Sequence, residues 1–150
     1  MNEIQTRMID VGQKAVTRRE AVARGTIRMN SETAQMVQNA SLPKGNALET
    51  ARVAAILAAK NTPQIIPLCH PLLLSKASCD FEIDAENGLV TARAVVVCNG
   101  QTGVEMEALT AVSAALLTIY DMTKGVDDTL EIQHVVLEKK TGGKSDFSRE

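Results

Sequence analysis

With 150 residues, 45% of them apolar, the chain has the material for a single domain with a real core, and no repeat divides it. Its net charge of −2 with interspersed signs offers no basic stripe to a nucleic-acid backbone, and one Tyr, two Phe and no Trp leave few rings for stacking on bases. Residues 1–10 hold no signal-peptide run, and no later stretch reaches the roughly 18 apolar residues of a membrane span. The three cysteines lack Cys-x-x-Cys spacing, which suits reduced thiols and disfavours zinc, so a cytoplasmic protein with no membrane or nucleic-acid partner is expected.

Residues 1–18 are polar and unpatterned and are expected to form a flexible leader. Glu20 to Met29 suits a strand, weakened by Gly25. Ser31 reads as a helix N-cap, with a short helix from Glu32 to about Gln38, and Leu42-Pro43-Lys44-Gly45-Asn46 is loop chemistry. Leu48, Ala51, Ala55, Ile56 and Ala59 recur at helical spacing up to Lys60, where Asn61-Thr62-Pro63 ends the element.

The next segment, Ile65 to Leu74, sets His70 among aliphatics with Pro67 and Pro71 nearby. Proline fixes its own φ and biases the preceding residue away from the helical region, so a stiff, extended mount for the ring is expected. Taken alone, the segment is accounted for most simply by a half-buried core histidine bonded to a backbone carbonyl. A ring held rigidly to face a ligand is the alternative.

Ala77–Asp84 and Leu89–Val97 carry strand composition around Glu86-Asn87-Gly88, a hairpin turn signal. Gly103 to Lys124 bears the stripe Val104, Ala108, Leu109, Val112, Ala115, Leu116 and Ile119 of a long amphipathic helix. Leu130–Leu137 is a last strand, and residues 141–150 read as a flexible tail. The order predicts an α+β fold of the ferredoxin-like split βαβ type, a four-stranded antiparallel sheet with helices on one face. The open face and the alanine-rich helices favour self-association.

Three polar clusters exceed what the fold demands, although each has a structural account. Glu105, Met106 and Glu107 open the long helix, where acids favour its dipole. Asp121 and Lys124 form an i,i+3 pair of the kind usually solvated. Lys139 to Ser145 sets a glycine pair between lysines, as in phosphate-gripping loops, but without P-loop spacing or a following helix, so a flexible basic tail competes.

Longer blocks are more specific. Lys44-Gly45, Ala51 to Ala54 with Ala58-Ala59-Lys60, Ile66 to Leu72 with Leu74-Ser75-Lys76, Thr102 to Ala111, Leu117 to Met122 with Lys124, and Gly142 to Ser145 together resemble the molybdenum-cofactor biosynthesis protein C family, from about Met8 to Phe147. The resemblance implies an enzyme that converts a 3′,8-cyclised dihydro-GTP into cyclic pyranopterin monophosphate with release of diphosphate. Such chemistry needs proton transfers for ring opening and rebuilding, and charge neutralisation for attack on the α-phosphate. By resemblance, Asp121 falls at the catalytic acid/base position, with Lys124 beside it and Lys44 as a further catalytic or phosphate-binding amine. Leu68, Cys69, His70, Met106 and Glu107 fall at substrate-contacting positions, and Arg19 and Lys140 where charge would meet the triphosphate. No cofactor is implied, and whether Mg²⁺ accompanies the triphosphate stays open.

An acid/base role for Asp121 and Lys124 requires tuning by burial, which their apolar neighbours in sequence permit. Helix geometry adds a constraint: Glu107 and Asp121, 14 residues apart, lie about 21 Å apart along a straight helix. One small substrate could hardly reach both, so sites shared between subunits are expected, in a hexamer built from dimers as the resemblance implies. Two departures from common related sequences stand out. Gln101 occupies a position where Lys is frequent, and Lys144-Ser145-Asp146-Phe147 is one glycine short; both bear on substrate affinity. The rivals are a non-catalytic interaction module on the same architecture and a metal-dependent hydrolase, for which His70 and His134 show no ligand-pair spacing.

Overall fold

The computed structural model describes residues 4–149. Strand β1 (Thr17–Arg28) leads through helices α1 (Ser31–Gln38), α2 (Ala47–Lys60) and α3 (Thr62–Ile65) into the hairpin β2 (Leu74–Asp84) and β3 (Leu89–Gly100). Helix α4 (Glu105–Thr123) then crosses back to β4 (Glu131–Thr141), followed by β5 (Phe147–Ser148). Every neighbouring pair is antiparallel, in the order β2-β3-β1-β4-β5. The first four strands, with helical crossovers after β1 and β3, form the expected ferredoxin-like split βαβ arrangement, and the sheet has five strands rather than four.

Both additions fall where unpatterned sequence was expected to be flexible. β1 begins at Thr17, inside the stretch expected as leader, because Thr17 and Arg18 pair with Gly100 and Asn99. β4 runs on to Thr141, and Phe147–Ser148 pairs with Lys140 and Lys139, so part of the expected tail is sheet edge. Backbone pairing, which does not depend on side-chain identity, captures these segments despite their polarity.

Alternation along β1 decides which face meets the helices: Ala21, Ala23 and Ile27 are fully buried, while Arg18 and Arg28 are exposed. Gly25 belongs to the buried set. A Cβ there would lie 2.8 Å from Leu116 Cδ1 and 2.9 Å from Val135 Cγ2, so the absent side chain lets α4 lie close on the sheet. α2 buries Ala47, Ala51, Ala55 and Ala59, an i,i+4 row of small residues that brings it close against α4.

β4 is irregular in two places against β1, between Val22 and Ala23 and between Arg24 and Thr26. His134 adopts φ 56° at the second of these. At the first, Glu138 stands unpaired with β1 and its carboxylate bonds Arg24 and, through two nitrogens, Arg93.

The expected Ser31 cap is displaced by one residue. Asn30 is the N-cap and makes no side-chain cap bond; instead Asp127, from the turn after α4, accepts from Asn30 N at 2.8 Å and Thr33 Oγ1 at 2.7 Å. The mount for His70 is preceded by a turn, and His70 itself lies in the irregular stretch that follows it. Ile66 O accepts from Cys69 N across a turn with Pro67 at its second position, and the flanking aliphatics divide: Leu72 and Leu74 pack against the core, while Ile65, Leu68 and Leu73 are exposed.

Candidate functional site

The first turn of α4 organises the site. Glu107, only 2% exposed, faces the Leu68–His70 turn across a cavity of about 320 Å³ lined also by Ile66, Thr102, Gly103, Glu105 and Met106. Burial, then the charge of Glu105, pushes the Glu107 carboxyl above the usual carboxylate range. Burial and Glu107 in turn raise the Cys69 thiol, which ties the two groups electrostatically. His70 Nε2 lies 2.5 Å from Ile9 O, so the ring meets a backbone carbonyl of the leader rather than core aliphatics.

Thr102, Gly103 and Glu105 also line a second cavity of about 590 Å³, so the two spaces adjoin through one wall. The larger is rimmed by Lys14, Arg19, Lys140, Lys144 and the Gly142–Gly143 loop, with Glu20 and Glu105 among them. Arg19 is nearly buried and directs Nε to Gly100 O at 2.8 Å and Nη2 to Ala15 O at 3.2 Å, which joins β1, β3 and the leader. Lys140 Nζ sits 3.6 Å from Glu105 Oε1. Gly142 adopts φ +93°, and a Cβ there would collide with the Arg18 backbone. Its carbonyl accepts from Thr17 Oγ1 at 2.7 Å, so glycine is what lets the loop fold onto β1.

At the other end of α4, Asp121 receives Lys44 Nζ at 3.1 Å and Lys124 Nζ at 3.2 Å. The side-chain bond from Lys44, then that from Lys124, lowers the Asp121 pKa below the usual carboxylate value. The tuning by burial that the apolar neighbours in sequence permit is not present within one chain: the three side chains are 51–59% exposed, and the carboxylate is stabilised as an anion. None of the three lines either cavity.

The ten expected site residues therefore fall into three groups. Leu68, Cys69, His70, Met106 and Glu107 meet in the smaller cavity, Arg19 and Lys140 in the larger, and Lys44, Asp121 and Lys124 in a cluster apart. Sequence reading missed three contributors: Thr102, Glu105 as the partner of Lys140, and residues 13–15 of the leader. Glu105 was legible only as a helix-dipole acid, and residues 13–15 carry no pattern. Among the described residues no three His, Cys, Asp or Glu side chains gather as a metal-binding group, and no helix is long and apolar enough to cross a membrane.

The MoaC family model matches residues 8–143. The chain is similar to proteins named cyclic pyranopterin monophosphate synthase: 57% identical over 139 residues to one from Chloroflexus aurantiacus, covering 93% of this chain and 85% of that one. One from Chloroflexus aggregans is 54% identical over 147 residues, covering 97% and 89%. Another, from Thermoanaerobacter pseudethanolicus, is 50% identical over 143 residues, covering 95% and 90%.

Proposed function

Because the chain belongs to the MoaC family, we propose that it is a cyclic pyranopterin monophosphate synthase, a lyase of molybdenum cofactor biosynthesis. It converts 3′,8-cyclised dihydro-GTP to cyclic pyranopterin monophosphate and releases diphosphate. The observation that carries the reading at the level of the site is the pair of adjoining cavities. The smaller, walled by Leu68, Cys69, His70, Met106 and Glu107, has room for a ring system, and the larger has a cationic, glycine-lined rim suited to phosphates.

In this scheme Leu68, Cys69, His70 and Met106 grip the purine-derived ring, and Glu107, a buried carboxyl whose pKa burial raises, lies beside it in the same cavity. Arg19 and Lys140 meet the triphosphate, Lys140 by exchanging Glu105 for a phosphate oxygen. Asp121 is the acid/base, held between Lys44 and Lys124, which supply charge and protons. The lysine pair keeps Asp121 ionised in the isolated chain. Burial by a partner subunit and substrate would move its pKa toward the range needed for proton transfer.

Shared sites supply that burial. The assembly proposed is a homohexamer, a trimer of dimers, in which the Asp121 cluster of one subunit completes the cavities of its neighbour. Exposed Val53, Leu57, Leu117 and Tyr120 offer apolar surface for such contacts on α2 and α4. The protein works in the cytoplasm, without nucleic acid or membrane and without a resident cofactor.

The decisive experiment presents purified protein with the cyclised GTP intermediate and follows diphosphate and pterin product. Wild type should turn over, and Asp121→Ala and Lys124→Ala should each lose about 10²–10⁴-fold in kcat, the usual contribution of a positioned acid or base. Full turnover in both variants would sink the assigned roles. No consumption by wild type would sink the function.

A further inference from the structure

Residues 9–15 cross the surface beside both cavities, and apolar packing does not hold them there: Ile9 is 60% exposed and Val16, just beyond, is 66% exposed. A turn closed by Lys14 N donating to Val11 O at 3.0 Å and an Asp10 carboxylate on Gly12 N shape the segment internally. Its attachment to the body runs through backbone carbonyls, which His70, Arg19 and Gln101 each meet. His70 and Arg19 already belong to the site described above. Gln101 does not line either cavity, yet its Nε2 donates to two carbonyls at once, Gly12 O at 3.1 Å and Lys14 O at 3.2 Å. Both acceptors are carbonyl oxygens, so only the NH₂ end of the carboxamide can face them.

Resting on the reading of the larger cavity as a phosphate site, we propose that Gln101 is a positioning residue of that cavity: it pins residues 12–14 so that Lys14 stands in the wall facing the Gly142–Gly143 loop. Without the two bonds the segment keeps its internal turn but loses its fixed distance from Thr102 and Gly103. The Lys14 ammonium then spends less time where a phosphate oxygen would meet it. The effect belongs to binding rather than to the chemical step, because Gln101 touches neither the ring cavity nor the Asp121 cluster.

The test uses the full chain with Gln101→Met, which keeps the length and removes the donor, with Lys14→Met, and with the double variant. Gln101→Met should raise KM for the cyclised triphosphate, and Ki for inorganic tripolyphosphate, by about fivefold, the worth of a net hydrogen bond or two at a half-exposed site, with kcat unchanged. In the Lys14→Met background the same change should add little, because the two residues act on one contact. Native-state trypsin cleavage after Lys14 should be faster in Gln101→Met. Wild type inhibited by tripolyphosphate with an unchanged Ki in Gln101→Met would overturn the role of Gln101 alone, as would faster cleavage without a change in KM. Additive losses in the double variant would likewise overturn the route through Lys14. Indifference of wild type to tripolyphosphate would overturn the phosphate cavity and this inference with it.

Discussion

Asp127 is a single side chain on which two elements depend. Besides the start of α1 it accepts from Thr129 through both the backbone N–H and the hydroxyl, and it is only 5% exposed. Burial alone would raise its pKa, but these bonds outweigh it and hold the carboxyl at about 2. A depressed carboxyl stabilises the fold above its unfolded pKa of roughly 3.9, and that contribution is lost as pH falls through the folded value. Wild type should therefore lose about 2 kcal/mol of stability between about pH 4 and pH 2 from this group, a loss that denaturant titration should not find in Asp127→Asn. Asp127→Ala should cost about 2–3 kcal/mol at neutral pH, since it strands the Thr33 hydroxyl and backbone N–H donors. None of this was legible in sequence. Asp127 lies 94 residues from Thr33, and a capping acid so remote leaves no local signature. The candidate site residues were named for a different reason: most of them, though not Arg19 or Lys140, stand in the blocks that resemble the family, whereas their exposure in one chain, as with Asp121, is decided by surroundings the sequence does not spell out.

Elements with a clean period were read within a few residues. α2 runs Ala47–Lys60 against the expected Leu48–Lys60, and α4 runs Glu105–Thr123 inside the expected Gly103–Lys124, because a stripe of core residues fixes a helix face wherever its ends fray. Strands without alternation were cut short. Past Leu137 the sequence Glu-Lys-Lys-Thr loses the two-residue rhythm, yet backbone pairing with β1 continues to Thr141. The glycine that weakens β1 as a strand former is the same one that admits α4. Gly25→Ala should destabilise the protein by about 1–3 kcal/mol through overpacking against Leu116, Val112 and Val135, despite alanine's lower entropy cost. Thermal melts of the purified variant read this directly, and a Tm at or above wild type would show that α4 can withdraw without penalty.

For the whole molecule the spacing along α4 matters most. An unbroken helix keeps Glu107 and Asp121 about 21 Å apart along its axis, and only the first lines a cavity. Assembly is therefore part of the proposed chemistry. Inactive Asp121→Ala and inactive Glu107→Ala subunits, mixed and reassembled, should regain activity, since some shared sites would inherit an intact residue from each side. Verified mixed oligomers with no recovery would count against shared sites. Sequence reached this expectation through resemblance and helix length together; the leader's part in the cavity wall escaped it, because carbonyl oxygens supplied by residues 9–15 are the same whatever the side chains.

The irregularity of β4 at Glu138 has a consequence for how this strand is aligned with any other. Ala21 and Ala23 share the helix-facing side of β1, and their partners are Lys140 and Leu137, three positions apart where an unbroken strand would place them two apart. The extra residue shifts the strand's phase by one, turning Lys140 inward to Glu105 while Glu138 is left with Arg24 and Arg93. A chain one residue shorter between Leu137 and Lys140 would keep the same cation in its composition and present it to the wrong face.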